Sequence, residues 1–190
     1  MDTTIIIPGL HGSDVSHWQS WIQRRIPNAV RVIQNDWSRP SLIDWTQQVY
    51  RRLDEARGRV WLVAHSFGCL VAVKAAADEG SRIAGAMLVA PADPDKFGIA
   101  EVVPDGPLDF PSVAVVSSND PWMELKKATR WAEAWGSRIV NIGAAGHINV
   151  ASGHGAWPEG LEIFEALKRH AAPTFEHAAF DESIVELGDF

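Results

Sequence analysis

"LVAHSFGCLVAVKAAA", residues 62–77, decides the fold. Leu62, Val63 and Ala64 form an apolar run that leads into His65 and Ser66. Phe67 and Gly68 follow, and then an alanine-rich stretch of helical character. A short apolar run that passes directly into a helix reads as a buried parallel strand with its crossover. Ser66 stands at the junction and fits two roles. It is either the N-cap of the helix or a nucleophile exposed above the sheet by a tight strand-to-helix turn. In the second role the Phe67 N–H and the positive end of the helix share the serine's space, where an oxyanion would be stabilised. The pattern A-H-S-F-G departs from G-x-S-x-G only by the methyl group of Ala64.

On either side of this unit, short β-branched runs alternate with longer helical patterns. Strands are predicted at residues 4–7, 30–35, 59–64, 85–90, 112–117 and 138–142, and helices at 16–25, 41–57, 66–79, 122–135 and 158–170. Leu42, Trp45, Val49, Leu53 and Ala56 fall at helical spacing, with Ser41 as the cap. The alternation predicts an α/β fold: a doubly wound, mostly parallel sheet of about six strands with helices on both faces. Right-handed crossovers then bring the loop after each strand to one edge, where such sheets bind ligands. Residues 91–110, rich in Pro, Asp and Gly, read as a loop overhanging that edge and are too few for a lid domain. Residues 1–170 are expected to form one domain, followed by an irregular, acidic tail, 171–190, packed through Phe175, Phe180 and Leu187.

The chain has 190 residues, 46% of them hydrophobic and 22% charged, a globular composition. A net charge of −7 without a Lys/Arg run argues against a nucleic-acid surface. The single cysteine, Cys69, excludes an internal disulfide framework and fits a reducing compartment. No apolar run is long enough to span a bilayer, and the N-terminal MDTTIIIPGLHG lacks the basic flank of a signal peptide. A cytoplasmic location is expected.

A serine nucleophile needs a base within hydrogen-bond reach, and the base needs an orienting acid. Both are found downstream at strand ends. "SVAVVSSNDPW" ends its strand at Asp120, and "SRIVNIGAAGHIN" runs into a loop carrying His147. Asp120-Pro121 also reads as a helix start, with the aspartate as cap, and one side chain is not expected to serve both purposes. His154 is the competing histidine, but His147 follows its strand directly, with Gly143 and Gly146 to shape the loop. His65 is read as structural, its side chain turned away from Ser66. For the oxyanion hole a second N–H is sought in "IIIPGLHGS": Leu10 is preferred, with His11 as the rival. His11, Asp14 and His17 match no common zinc spacing, so no metal is expected.

With these residues assembled, the chain resembles the α/β-hydrolase superfamily, and within it the small, nearly lidless serine hydrolases related to retinoblastoma-binding protein 9 and the bacterial YdeN-type proteins. "IIIPGLHGSDVSHWQSWI", "QNDWSRPSLIDW", "VAHSFGCLVA", "SSNDPW" and "GHIN" carry the resemblance, over about three-quarters of the chain. It implies Ser66 as nucleophile, Asp120 as acid and His147 as base on a minimal hydrolase core, and it accepts alanine at position 64. Trp61, Trp131 and Trp135 are then expected to pack in the core, whereas His11, Trp37 and Trp122 are expected to touch substrate.

The expected activity is hydrolysis of small ester or acyl substrates through an acyl-enzyme, with no cofactor and no nucleic-acid or membrane partner. The alternatives are a protein-interaction module on a hydrolase scaffold, or amidase, peptidase or acyltransferase chemistry on the same three residues.

Overall fold

The computed structural model describes residues 1–171; the expected tail beyond Ala171, with Phe175, Phe180 and Leu187, lies outside the described residues. Six strands form one sheet: β1 (Thr3–Ile7), β2 (Ala29–Arg31), β3 (Val60–His65), β4 (Ile83–Val89), β5 (Ser112–Val116) and β6 (Arg138–Asn141). Their order is β2-β1-β3-β4-β5-β6, and every pairing is parallel. The central strands are buried on both faces because each position is apolar or tolerates burial. Ile5, Ile7, Leu62 and Ala64 face one layer, and Ile6, Trp61 and Val63 face the other.

Among the described residues the α-helices are, in chain order, α1 (Trp18–Gln23), α2 (Leu42–Glu55), α3 (Phe67–Glu79), α4 (Leu125–Ala134) and α5 (Pro158–His170). Leu42, Trp45, Val49 and Leu53 of α2 pack with α3 and with Trp131 and Trp135 on one face of the sheet. Trp18 and Ile22 of α1 join Trp157, Phe164 and Leu167 on the opposite face. Ser41 caps α2 by accepting the Asp44 N–H at 3.2 Å. Trp61 is fully buried, and its indole N–H donates to Asp2 Oδ2. Among the described residues no helix is long and apolar enough to cross a membrane.

Several boundaries differ from those the sequence predicts. The second strand was expected over 30–35 but pairs only over Ala29–Arg31, with one further bond from Val32 N–H to Ile6 O. It is an edge strand, and the Arg31 guanidinium within it is held by Ser13 O, Ser20 Oγ and Gln23 Oε1 rather than by sheet packing. The fourth helix begins at Leu125 rather than 122, because Asp120 Oδ1 holds the Trp122 N–H in a preceding turn. The first helix is confined to Trp18–Gln23 and is capped by the ring of His17. The 91–110 segment contains a 3-10 turn at Pro94–Phe97, closed by Gly98 at φ 64°. Lys127 of α4 ties this turn down through Asp93 (2.9 Å) and Asp95 (2.8 Å).

The chain order reverses between β1 and β3, which lie side by side although β2 intervenes in sequence. Loops leaving adjacent strands diverge at such a switch point and open a crevice. Gly68 brings the start of α3 against the exit of β1: a Cβ there would meet Ile7 O at 2.4 Å and Pro8 O at 2.6 Å. Neither backbone carbonyl can yield without moving β1. Gly68→Ala is therefore expected to destabilise the fold by roughly 1–3 kcal/mol, the range for overpacking. Gly106→Ala, which meets nothing within 4 Å, should stay within about 0.5 kcal/mol. Urea unfolding of the two variants checks this.

Candidate active site

Ser66 sits at φ 54° and ψ −126°, a conformation that side-chain-bearing residues rarely adopt. Its N–H donates to Val89 O at 3.0 Å, and its carbonyl accepts from Cys69 N–H at 2.9 Å. The hydroxyl makes no cap bond to the helix, so the capping role is ruled out. Instead, Ser66 Oγ lies 2.9 Å from His147 Nε2. Gly9, at the exit of β1, makes room for the turn: a Cβ there would meet Ser66 Cβ at 2.7 Å.

His147 Nδ1 lies 2.8 Å from Asp120 Oδ2. The aspartate side chain is 3% exposed and the histidine side chain 10%, so this pair is largely shielded from water. Asp120 does not cap α4, whose N-cap is Glu124: its Oδ1 receives the Trp122 N–H in the turn that precedes the helix, leaving Oδ2 for the imidazole. The loops bearing Asp120 and His147 are laced together. Gly146 N–H donates to Asn119 Oδ1 at 2.7 Å, and Ala145 N–H to Ser117 Oγ at 3.0 Å. These contacts of "SSND" were not foreseen, and the polar run before Asp120 was their only sequence signal. His154 turns elsewhere, bonding Ser152 Oγ and standing edge-on to Trp157.

Three further residues the sequence did not single out as part of the site support it from below. The Trp18 indole N–H donates to Ile148 O at 2.8 Å, and Gln19 Nε2 bridges Ile7 O and Val63 O. His17 accepts the Gln19 N–H on Nδ1. His65, expected to be structural, donates from Nε2 to His147 O at 3.0 Å and thereby fixes the loop that carries His147. The rings of His17, His65 and His147 follow one another with centroids 4.9 and 5.0 Å apart, the first pair edge-on and the second tilted.

A cavity of about 570 Å³ opens over Ser66 and His147. Leu10, Phe97, Trp122 and Val150 are among its walls, together with His11, His17 and Lys96. Trp122 is 58% exposed at the rim. Trp37 corrects an expectation: it does not line the cavity. Its ring packs edge-on to Trp45 at 5.4 Å and lies against Gly12, while its carbonyl accepts the His11 N–H at 3.0 Å. That bond commits the rival oxyanion donor, whereas Leu10 N–H and Phe67 N–H give no bond to other groups among the described residues. The Asp14 carboxylate is occupied by Ser16 and the His17 N–H.

Burial lowers the His17 imidazole from 6.5 to about 4, and burial also pushes His65 well down. Between pH 6.5 and about 4 the unfolded chain protonates at His17 while the folded one does not. The stability this ring contributes is therefore full above pH 6.5 and is lost as pH falls, at up to about 1.4 kcal/mol per pH unit. Urea unfolding should show a drop from pH 7 to pH 5 that is smaller in His17→Asn, which keeps a cap acceptor without a titrating ring. An equal drop in both would contradict the assignment.

The chain matches the serine hydrolase family model over residues 4–166. It is similar to the crystal structure of a YdeN-like hydrolase from Pectobacterium atrosepticum, with 39% identity, 90% of this chain and 92% of that one covered, and a TM-score of 0.86. The ydeN gene product of B. subtilis aligns at 18% identity over 89% of this chain and 100% of its own, with a TM-score of 0.75. Est1E from Butyrivibrio proteoclasticus, solved with ferulic acid bound, shares the fold at 15% identity, 90% and 88% coverage and a TM-score of 0.69. No curated protein gives a significant match.

Proposed function

The chain belongs to the serine hydrolase family, and from that premise we propose that it hydrolyses small esters with Ser66 as nucleophile, His147 as base and Asp120 as orienting acid. The observation that carries this reading is the unbroken Ser66–His147–Asp120 chain, with contacts of 2.9 and 2.8 Å, beside an open cavity.

His147 Nε2 takes the hydroxyl proton as Ser66 Oγ attacks the ester carbonyl. Asp120 accepts from Nδ1–H, which fixes the tautomer and stabilises the imidazolium that forms. The carbonyl oxygen becomes an oxyanion and receives the N–H groups of Phe67 and Leu10, aided by the positive end of α3. The C–O bond breaks, and the alcohol leaves with the proton from His147. A water molecule then attacks the acyl-enzyme, giving its proton to His147, and the acid departs as Ser66 recovers its hydrogen. His11 and Trp122 meet the substrate at the rim. The apolar walls, and the absence of a lid among the described residues, favour short acyl and alkyl groups.

Steady-state hydrolysis of short-chain p-nitrophenyl esters tests this. Ser66→Ala and His147→Ala should fall to background, and Asp120→Asn should lose a factor of about 10⁴ in kcat, the scale for a mis-set tautomer. Activity retained in either of the first two variants would refute the mechanism.

A further inference from the structure

The His17 ring lies within the cavity wall, yet the mechanism does not use it. Its Nδ1 is spent as the cap acceptor for Gln19 N–H at 3.2 Å, which leaves the ring proton on Nε2. The ring is held in place. Its backbone N–H is bound by Asp14 Oδ1 at 3.0 Å, and the ring is wedged between Trp18 (5.5 Å) and His65 (4.9 Å). Nε2–H meets no acceptor among the described residues. No buried side-chain polar atom there lacks a partner, so this N–H is not sealed in the core but opens to the cavity that His17 lines.

Its position tells which part of a substrate it meets. His65 stands between His17 and His147, and Asn149, Val150 and Ala151, which follow His147 in the chain, line the same cavity as His17. A leaving alcohol takes its proton from His147 Nε2 and so departs along this side. We infer that His17 Nε2–H binds a second oxygen of the alcohol portion, so that the enzyme selects esters of alcohols carrying an ether or hydroxyl oxygen near the scissile bond. An alkyl group in that place leaves a fixed, neutral donor unpaired and shielded from water, and such a mismatch discriminates strongly. This inference rests on the ester-hydrolase reading above.

The test compares kcat/KM for 2-methoxyethyl butyrate and n-butyl butyrate, two esters of one acid that differ by oxygen for methylene. Each ratio is divided by the ratio of their alkaline hydrolysis rates. Wild type should show an excess of about tenfold for the methoxyethyl ester, the worth of one well-made hydrogen bond. Two variants separate the two nitrogens. In His17→Asn, the amide oxygen reproduces the Nδ1 acceptor and keeps the cap, but nothing reaches the cavity; the excess should vanish. In His17→Gln, the amide nitrogen reproduces the Nε2 donor; most of the excess should remain. Thermal unfolding of both variants verifies that they fold.

An excess absent from wild type, or one kept in His17→Asn, would overturn the inference while leaving the hydrolase reading intact. Equal loss in both variants would overturn it too, assigning the effect to ring packing. Hydrolysis of neither ester by folded wild type would overturn the ester-hydrolase reading and the inference together.

Discussion

The contact between Gly68 and the carbonyls of Ile7 and Pro8 is the constraint on which the site depends. It brings the N-terminus of α3 against the exit of β1 with no room for a side chain. Ser66 is thereby held at φ 54° in the sharp turn between β3 and α3. A non-glycine residue in this region costs on the order of 1–3 kcal/mol, and the burial of α3, with nine apolar or small residues inside, offsets it. Strain at the serine and close packing beneath it are two sides of one arrangement. The same turn directs the hydroxyl away from the helix it precedes and towards His147.

The remaining groups are supplied by strands that end at the same edge. β5 leads to Asp120 and β6 to His147, and the bonds of Ser117 and Asn119 to residues 145 and 146 hold the two loops in register. Below them, Trp18 and His65 each donate to a carbonyl of the 147–148 segment. The His147 loop is thus fixed from both sides. Positioning of this kind keeps the imidazole within reach of Ser66 without a reorganisation step.

The parallel sheet, the alternation of strands and helices along the chain and the three side chains that meet at the sheet's edge were legible in the sequence because each rests on a local signal. Continuous apolar runs marked the central strands, and Ser66, Asp120 and His147 each stood in the segment that leaves a strand. The edge strand β2 was less legible: Arg31 and Ile33 fall in a β-branched run, but pairing on one side only releases the chain after Val32. Trp37 was misplaced because a bulky aromatic at a strand exit serves equally well to pave the oxyanion loop from beneath or to line the cavity. His17 carried no usable signal. Its importance comes from a helix cap made by one ring nitrogen and a cavity opened to the other, and neither is visible until the loops are folded.

The most direct measurement on the central claim is covalent labelling of the folded protein by a fluorophosphonate, with the modified residue located by mass spectrometry. The geometry around Ser66 predicts a single adduct on Ser66 in wild type and none in His147→Ala, where the hydroxyl has lost its base. No adduct on folded wild type, or an adduct of equal rate in His147→Ala, would contradict it.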